Sequence, residues 1–351
     1  MPEIEIRSYE GDGAELADLV GRAWTASYEG RTTYLAWDSA YFDWQLLSDR
    51  RDGREFLLGA YEGRRLAGVL LSPIVPLEVF GEPLEATLTS WFSVDPEYRG
   101  RQVGRLLVAE VRRRHRARGT AFTIGFVSAG MAGPNFWKSL PDCRTVSWIG
   151  FWYRVLDPAR LAGAALSRRD RWLTRLLGPL SARALPASDA EGVRAYRPAD
   201  LEASRRLVDR PIPGCDLRFR WPAEDLARQL DFRGTPRTLV LETRGEVAGL
   251  ANWYVAEVRG RGSMRVAFLD LLAFDDRADR RERGDLVRTA LRHMRDDEAA
   301  VVMLPRVPAL PARTLLAAGF VPLPVEQELL AAYLDPIDRL AKVRRPHFLW
   351  R

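Results

Sequence analysis

The sequence predicts a mixed α+β protein in which one domain occurs twice, each copy a mostly antiparallel twisted sheet flanked by helices. The first observation is an internal repeat: "IRSYEGDGAELADLV" (6–20) resembles "VRAYRPADLEASRRLV" (193–208), and "VDPEYRGRQVGRLLV" (94–108) matches "FDDRADRRERGDLVR" (274–288). The second is that an alternating run precedes a helical pattern in both copies. A repeat of this length indicates two domains rather than a solenoid. The expected divisions are a first domain, a linker, a second domain and a tail: 1–157, 158–191, 192–340 and 341–351.

Both copies show the same order of elements. Each opens with a short strand (3–9 and 192–197) and a helical region, followed by an alternating run typical of antiparallel strands. In the first copy this run is punctuated at "EGRR" and "FGEP", which predicts three strands. Apolar residues then recur at helical spacing over about 103–118 and about 281–296. A strand, a short helix and final strands complete each copy.

The linker predicts a basic amphipathic helix. Trp172, Leu173 and Leu176 share one stripe, with arginines off it. Such a helix either lies on a membrane surface or packs across a domain junction, and we favour packing. "LPASD" then reads as a hinge.

Composition excludes several classes of protein. Hydrophobic residues make up 47% and charged residues 28%, which is typical of a folded globular chain. No apolar run approaches the length of a membrane span, and the acidic N-terminus lacks the apolar core of a secretion signal, so we expect a cytoplasmic protein. Cys143 and Cys215 lack metal-ligand spacing, and the histidines are scattered, so no metal is expected.

The net charge of +6 does not indicate a nucleic-acid surface. Of 53 basic residues only Lys138 and Lys342 are lysine, and the arginines alternate with acids, as in "RADRRERGD". This pattern is typical of a solvated mixed surface. The same charge is compatible with a site for a phosphorylated cofactor.

The stretch "VDPEYRGRQVGRLLV" predicts a strand end, a basic loop and a helix start. A loop at a helix N-terminus directs free backbone N–H groups at one point, and the helix dipole adds positive charge there. Arg99, Arg101 and Arg105 would add further positive charge. The loop therefore predicts a pyrophosphate site that needs no metal.

At this loop the sequence resembles the GNAT superfamily of N-acetyltransferases. The family signature R/Q-x-x-G-x-G/A reads here Arg99-Gly100-Arg101-Gln102-Val103-Gly104, after "VDPEY". The resemblance covers nearly the whole chain as a tandem pair and implies acetyl-CoA or another acyl-CoA as co-substrate. Gln102 replaces the first motif glycine, but it keeps the N–H that binds, so we expect the loop to function. The residues that the resemblance assigns to CoA are Phe92, Ser93, Val94, Arg99, Gly100, Arg101, Gln102, Val103, Gly104 and Arg105.

The second copy departs further from the signature. Asp279, Arg280 and Glu282 stand at the positions of Arg99, Gly100 and Gln102, and only Gly284 is kept. Acids at a helix N-terminus satisfy the N–H groups that a phosphate would need and repel its charge. We therefore expect a degenerate copy that does not bind the cofactor.

The resemblance also implies a mechanism, in which backbone N–H groups near Phe92, Ser93 and Val94 stabilise an oxyanion beside pantetheine. The family often uses a tyrosine acid in "YxxxGF"; Trp137 and Leu315 stand at that position in the two copies. A thiolate is a good leaving group and does not require protonation by a general acid, so activity does not require the tyrosine phenol.

Three candidate catalysts remain. Ser128, at the end of "TIGFVS", is a substitute acid or a simple strand-end residue. Glu85 is the nearest acid before the loop and a candidate base, although strand alternation could turn it away. The carboxylate of Arg351 is a third candidate, because some relatives use their C-terminus as the base.

Aromatic residues crowd 24–44. If this stretch is helical, Tyr34, Trp37, Tyr41 and Trp44 share one face. They form either core and interdomain packing, which we favour, or an apolar pocket for an acyl chain or aromatic acceptor.

These observations predict an acyl-CoA-dependent N-acyltransferase, most simply an N-acetyltransferase, that modifies an amine of a small molecule in a ternary complex. The alternatives are a Fem-like aminoacyl transferase and a non-catalytic acyl-CoA-binding or regulatory module. The intact loop speaks against the first alternative, and Trp137 supports the second. No nucleic-acid partner is expected, and a homo-oligomer is left open.

Overall fold

The computed structural model describes residues 3–47, 54–128, 136–140, 142–164, 172, 185–308, 310–333 and 340–348. The strands of the first half are β1 Ile4–Ser8, β2 Tyr34–Ala36, β3 Leu57–Glu62, β4 Arg65–Leu71, β5 Ile74–Val79, β6 Glu82–Val94, β7 Phe122–Ser128 and β8 Cys143–Val155. Those of the second half are β9 Val193–Ala195, β10 Leu217–Phe219, β11 Arg237–Thr243, β12 Glu246–Arg259, β13 Ser263–Phe274, β14 Ala299–Pro305, β15 Val321–Tyr333 and β16 Pro346–His347. The α-helices are α1 Gly13–Tyr28, α2 Ser39–Phe42, α3 Val103–Arg118, α4 Pro158–Ala164, α5 Leu201–Val208, α6 Ala223–Leu230, α7 Arg280–Asp296 and α8 Ala312–Ala317.

One sheet runs through the whole molecule in the order β1-β3-β4-β6-β7-β15-β8-β14-β13-β12-β11-β9. Along this path all pairs are antiparallel except β6 with β7 and β13 with β14. In each copy the long helix, α3 or α7, connects the two parallel strands. The predicted fold class, a mostly antiparallel sheet flanked by helices in two tandem copies, is confirmed.

The two copies exchange their last strands. β15 comes from the second copy but lies between β7 and β8, where Leu329 pairs with Phe126 on one side and Ser147 on the other. β8 comes from the first copy and pairs with β14. The halves therefore share hydrogen bonds at the centre of the sheet. The division of the chain near 157 and 192 stays a prediction.

The alternating run of the first copy holds four strands rather than the predicted three. The additional break falls at Ser72-Pro73, between β4 and β5. Pro73 has no N–H for a strand ladder, and its carbonyl accepts from the N–H of Leu88 instead. The β5–β6 turn uses positive φ at Phe80 and Gly81 (50° and 84°), as a two-residue hairpin turn requires.

Residues 24–44 are not the single helix that the aromatic spacing suggested. Helix α1 ends at Tyr28, near Gly30 at φ 71°, and Tyr34 lies in strand β2. A new helix then begins because the side chain of Asp38 accepts a hydrogen bond from the N–H of Tyr41.

The aromatic side chains nevertheless meet in one core that joins the two copies. Trp37, Tyr41 and Trp44 are buried, and the rings of Tyr41 and Trp44 lie 5.3 and 5.4 Å from that of Tyr254 in the second copy. Trp44 Nε1 also donates to the carbonyl of Arg228 at 2.9 Å. The interpretation of these residues as core and interdomain packing is confirmed.

Of the predicted linker helix, the structure describes α4 and the side chain of Trp172, which is 60% exposed; the remainder of the stripe lies outside the described residues. Within the described part of the chain, no helix is both long and apolar enough to cross a membrane.

Candidate active site

Strands β6 and β7 run parallel for three residue pairs and then part. The pairs are Thr87 with Thr123, Leu88 with Ile124 and Thr89 with Gly125. Beyond them β6 turns toward β4, where its residues 90–94 pair, while β7 continues alongside β15. A V-shaped gap therefore opens between 90–94 of β6 and 126–128 of β7; we call it the fork.

A bulge directs β6 away from β7. Ser90 pairs with Leu71 and Ser93 with Val69, so Trp91 and Phe92 together stand opposite Leu70. Trp91 adopts φ 50°, an unfavourable conformation for an aromatic residue, and such backbone strain is common at functional sites. On the side of the gap, the backbone of β6 beyond Thr89 has no ladder partner, because its pairing with β7 ends there.

Buried hydroxyl groups hold the vertex of the fork. Thr89 Oγ1 lies 2.8 Å from Ser72 Oγ and 2.7 Å from Thr123 Oγ1. Thr87 Oγ1 lies 3.0 Å from Nε2 of the fully buried His115, and burial lowers the pKa of this histidine to about 4. The sequence analysis did not identify this network, although the alternating threonines of "EATLTS" signal one polar face.

The loop before α3 has the geometry of an anion site. Gly100 has φ 80°, and Gln102 has φ 62° and ψ 9°, a left-handed conformation. The side chain of Gln102 is exposed and makes no capping hydrogen bond. Among the described residues, the N–H groups of Gln102, Val103 and Gly104 have no hydrogen-bond acceptor, while Gln102 O accepts from Arg105 and Leu106. The loop thus leaves its N–H groups free, and the glutamine side chain does not cover them.

Gly104 allows the helix to approach the fork closely. A Cβ at this position would come within 2.8 Å of Cζ of Phe92. The ring of Phe92 in turn stacks on Phe136 and Trp137, with centroids 5.0 and 5.6 Å away. Glycine at the second glycine position of the signature, Gly104, therefore allows close helix–strand contact, whereas Gln102 at the first glycine position contributes only its backbone.

The three loop arginines have different partners. Arg99 donates to the carbonyl of Ala23 and to Ser27 Oγ, at 2.9 and 2.8 Å, so it ties the loop to α1. Arg101 lies over the ring of Tyr98 and pairs with Glu62 at 3.3 Å. Arg105 is exposed, and no described acid pairs with it.

The strand end is fixed by polar contacts on the side of α1. Trp24 Nε1 donates to Oγ of the buried Ser93 at 3.0 Å. Asp95 is buried, which by itself raises its pKa, but the N–H of Glu97 and the guanidinium of Arg22 hold the pKa below its usual value. Val94 pairs with Gly68 of β4. These contacts position the segment that carries the fork.

Glu85, the sequence candidate for a general base, does not lie at the fork. Its carboxylate accepts from Arg118 at 2.7 and 3.1 Å, at the C-terminal end of α3. The sixteen residues of α3 place Arg118 about 24 Å from the loop, at 1.5 Å of rise per residue. Alternation along β6 and the partner Arg118 explain why the carboxylate of Glu85 lies away from the fork.

The other catalytic candidates stand as follows. Ser128 is the last residue of β7, at the open end of the fork, and pairs with Gln327; its side chain is outside the described set. Trp137 packs on Phe92, and Leu315 is fully buried in the second core. The carboxylate of Arg351 lies outside the described residues.

The second copy closes its corresponding loop. Helix α7 begins at Arg280, three positions earlier in the repeat than α3, because Asp279 and Glu282 form a capping box. Each carboxylate accepts the other residue's N–H at 2.8 Å. A Cβ at Gly284 would meet only the tip of Arg288. The side chain of Asp279 therefore occupies the N–H of Glu282, the counterpart of the Gln102 N–H that is free in the first copy.

No group of three or more His, Cys, Asp or Glu side chains that could hold a metal occurs in the described part of the chain. Neither Cys143 nor Cys215 forms a disulfide with a described residue.

Comparison with known proteins agrees with this geometry. A model of the acetyltransferase (GNAT) domain matches residues 7–133. No curated protein matches the chain significantly.

Solved structures extend the similarity to the full chain. Saccharomyces cerevisiae N-myristoyltransferase with bound myristoyl-CoA is 14% identical with a TM-score of 0.74, over 95% of this chain and 83% of that one. The same enzyme with myristoyl-CoA and inhibitors is also 14% identical, with a TM-score of 0.74 over 95% and 80%. At these identities the similarity establishes the shared fold.

Proposed function

Because residues 7–133 form a GNAT domain, we propose that this protein is an acyl-CoA-dependent N-acyltransferase whose single active centre is the fork of the first copy. The observation that carries the proposal is the pairing of the fork with a free anion-binding loop at the start of α3. Residues 90–94 of β6 end at that loop, so a ligand held by its phosphates there can extend along β6.

The loop residues fit a pyrophosphate. The free N–H groups of Gln102, Val103 and Gly104, at the positive end of a sixteen-residue helix, would hold its oxygens. Arg105 and the partly exposed Arg101 would add positive charge, and Arg99 would fix the loop by its bonds to α1. A metal is not needed for this binding mode.

Acyl-CoA supplies an activated thioester carbonyl carbon. A deprotonated acceptor amine would form a C–N bond to this carbon, the C–S bond would break, and the thiolate would take up a proton. We assign oxyanion stabilisation to backbone N–H groups near Phe92, Ser93 and Val94, because this segment of β6 has no ladder partner on the side of the gap. Ser128, at the open end of β7, is the candidate for returning a proton to the leaving thiolate.

We infer a short acyl chain, most simply acetyl. Beside the bulge, the ring of Trp91 lies 5.9 Å from Trp37, 5.7 Å from Tyr41 and 5.9 Å from Phe42, and all four are buried. These aromatic side chains fill the space behind β6 where a long chain would have to lie. The protein would then differ in donor from the structural neighbour with bound myristoyl-CoA.

To test this proposal, the thermal stability of the purified protein is measured with acyl-CoAs whose chains range from acetyl to myristoyl. A donor at about 100 times its Kd should stabilise the protein by about 2.7 kcal/mol. We expect stabilisation by acetyl-CoA that is lost in Arg105→Ala and kept in Arg116→Ala, a matched control on the exposed face of α3. Equal stabilisation of both variants would overturn the assigned loop.

A non-catalytic acyl-CoA-binding module is the second candidate, supported by Trp137 where relatives of this fold often carry tyrosine. Release of free CoA thiol in the presence of a panel of amines separates the two. Binding without release under any acceptor would favour the module.

A further inference from the structure

A second region of the molecule has ligand-binding character that the proposed CoA site does not use. A cavity of about 350 Å³ lies between β8, the segment after β14 and the C-terminal segment. Its volume suits a small molecule. We call it the arginine–tryptophan cavity, after the lining residues that carry its character: Trp148, Trp152, Arg306, Arg344, Arg345 and Phe348.

The cavity is cationic. None of its described lining residues is acidic, and no described acid forms an ion pair with Arg306, Arg344 or Arg345. The guanidinium of Arg344 donates to the carbonyls of Ala341 and Val343. The carboxylate of Asp216 accepts from the backbone N–H groups of Arg344 and Arg345 at 2.7 and 2.9 Å. Three guanidinium groups around one cavity, none with a described carboxylate partner, favour an anionic ligand.

Arg306 is held in place by its neighbours. Its N–H donates to the carbonyl of Gly150 at 2.6 Å. Its side chain lies on the same glycine, since a Cβ at Gly150 would come within 2.8 Å of Arg306 Cδ and 2.9 Å of Nε. The absent side chain at position 150 therefore lets the guanidinium lie along β8.

Aromatic surface accompanies the charge. Trp148 is 59% exposed, and Lys138 Nζ lies 5.9 Å from its ring centroid. Trp152 and the buried Phe348 complete the apolar part of the lining. An exposed tryptophan beside unpaired guanidinium groups favours a ligand with a flat apolar body and an anionic group.

The cavity is next to the fork. The ring of Phe348 lies 5.0 Å from that of Phe126, in the part of β7 that borders the gap. In the sheet, Trp148 of β8 and Val127 of β7 both pair with Glu328 of β15, so they are two strand spacings, or about 9.6 Å, apart. A ligand in this cavity can thus place one end near the open side of the fork.

We propose that the arginine–tryptophan cavity binds the acyl acceptor, and that this acceptor is an aromatic or similarly flat amine carrying a carboxylate or phosphate. The proposal rests on the acyltransferase function for the role of the ligand as acceptor. The anion site itself rests only on the lining residues.

Equilibrium binding without acyl-CoA tests the site alone. The three probes are L-phenylalanine, L-phenylalaninamide and phenyl phosphate. In L-phenylalaninamide a neutral amide replaces the carboxylate. Binding is measured by the change in tryptophan fluorescence of the protein. We expect at least one anionic probe to bind at least tenfold more tightly than the amide, and the better anion identifies carboxylate or phosphate as the preferred group. Equal binding of all three probes, or binding of none, would overturn the site.

Variants separate charge from folding. Arg306→Gln should weaken the better anionic probe about tenfold, and Gly150→Ala should do the same by displacing Arg306 without removing it. Arg116→Gln is the matched control and should bind as the parent. Acetyl-CoA binding, measured in each variant, should be unchanged because Arg306 is remote from the α3 loop. Unchanged probe binding in both cavity variants contradicts the proposal.

CoA release then tests the acceptor role. Both proposals are supported if L-phenylalanine causes more CoA release than L-phenylalaninamide and if Arg306→Gln reduces this release. If an anionic probe binds in a way that depends on Arg306 but no amine causes CoA release, the anion site is supported. Its role as the acceptor site and the proposed activity are then overturned. If neutral amines cause CoA release and Arg306→Gln does not change it, the proposed activity is supported and the proposed class of acceptor is overturned.

Discussion

Gly104 at the start of α3 lies so close to Phe92 in β6 that a Cβ on the glycine would come within 2.8 Å of the ring. This contact links the anion-binding loop to the bulged segment of the fork, because Phe92 is itself one of the two bulged residues. The position of the loop relative to the gap therefore depends on one missing side chain.

Gly104→Ala should move helix and strand apart. Overpacking of this kind costs about 1–3 kcal/mol in stability, and we expect acetyl-CoA to bind more weakly as well. Urea unfolding and calorimetric binding measure the two effects. Gly21→Ala is the matched control, since a Cβ at Gly21 in α1 meets no atom within 4 Å, and it should be neutral or stabilising. Equal behaviour of the two variants would contradict the proposed contact.

Gln102→Glu should change stability and binding in opposite directions. An acid at the N-terminus of α3 stabilises the helix by about 0.3–1 kcal/mol, but it repels a pyrophosphate. We expect a higher unfolding midpoint and an acetyl-CoA Kd raised about tenfold. Gln102→Gly should keep the affinity, because φ 62° suits glycine and the N–H remains. Tight binding by the Glu variant would argue against phosphate at this loop.

His115 should make the protein less stable in acid. Burial lowers its pKa to about 4, below the ordinary value of about 6.5, so the unfolded chain binds a proton that the folded chain refuses between these pH values. His115 therefore does not lower the free energy of unfolding above pH 6.5, but it lowers this free energy by about 3 kcal/mol when the pH falls to 4. His115→Gln should flatten this part of the dependence. Parallel curves of unfolding free energy against pH for the two proteins would refute the expectation.

Asp279→Ala should destabilise the second copy without changing the affinity of the protein for acetyl-CoA. Loss of an N-cap costs about 1 kcal/mol, and here Glu282 would also lose its reciprocal role. We expect a lower unfolding midpoint and an unchanged Kd for acetyl-CoA. A gain of a second CoA equivalent in this variant, measured by titration, would mean that the capping box alone had closed the second loop.

Some features could be predicted from the sequence because local chemistry determines them. Helix α3 was expected at about 103–118 and spans Val103–Arg118, since apolar spacing and the following Gly119 define both ends. The capping role of Asp279 and Glu282 was read from residue type and spacing alone. The resemblance of the loop to the GNAT signature likewise depends on six consecutive residues.

Other features depended on contacts between distant residues. The position of the Glu85 carboxylate became apparent only from its partner Arg118, 33 positions later, at the far end of α3. The contacts of Arg99 with Ala23 and Ser27 of α1 likewise join residues more than 70 positions apart. The aromatic residues of 24–44 were expected to share a face, yet a turn and a strand separate them before Tyr254 of the other copy brings them together.

The sequence by itself determined that the chain is a tandem pair, and it predicted which copy carries the phosphate-binding signature and why acids replace it in the other. Each of these depends on capping, turn and periodicity rules that act within a few residues. Only the tertiary structure decided that the copies exchange β8 and β15, and that the fork and the arginine–tryptophan cavity lie side by side. Strand pairing joins residues about 200 positions apart, as Phe126 and Leu329 are, and local patterns do not specify such partners.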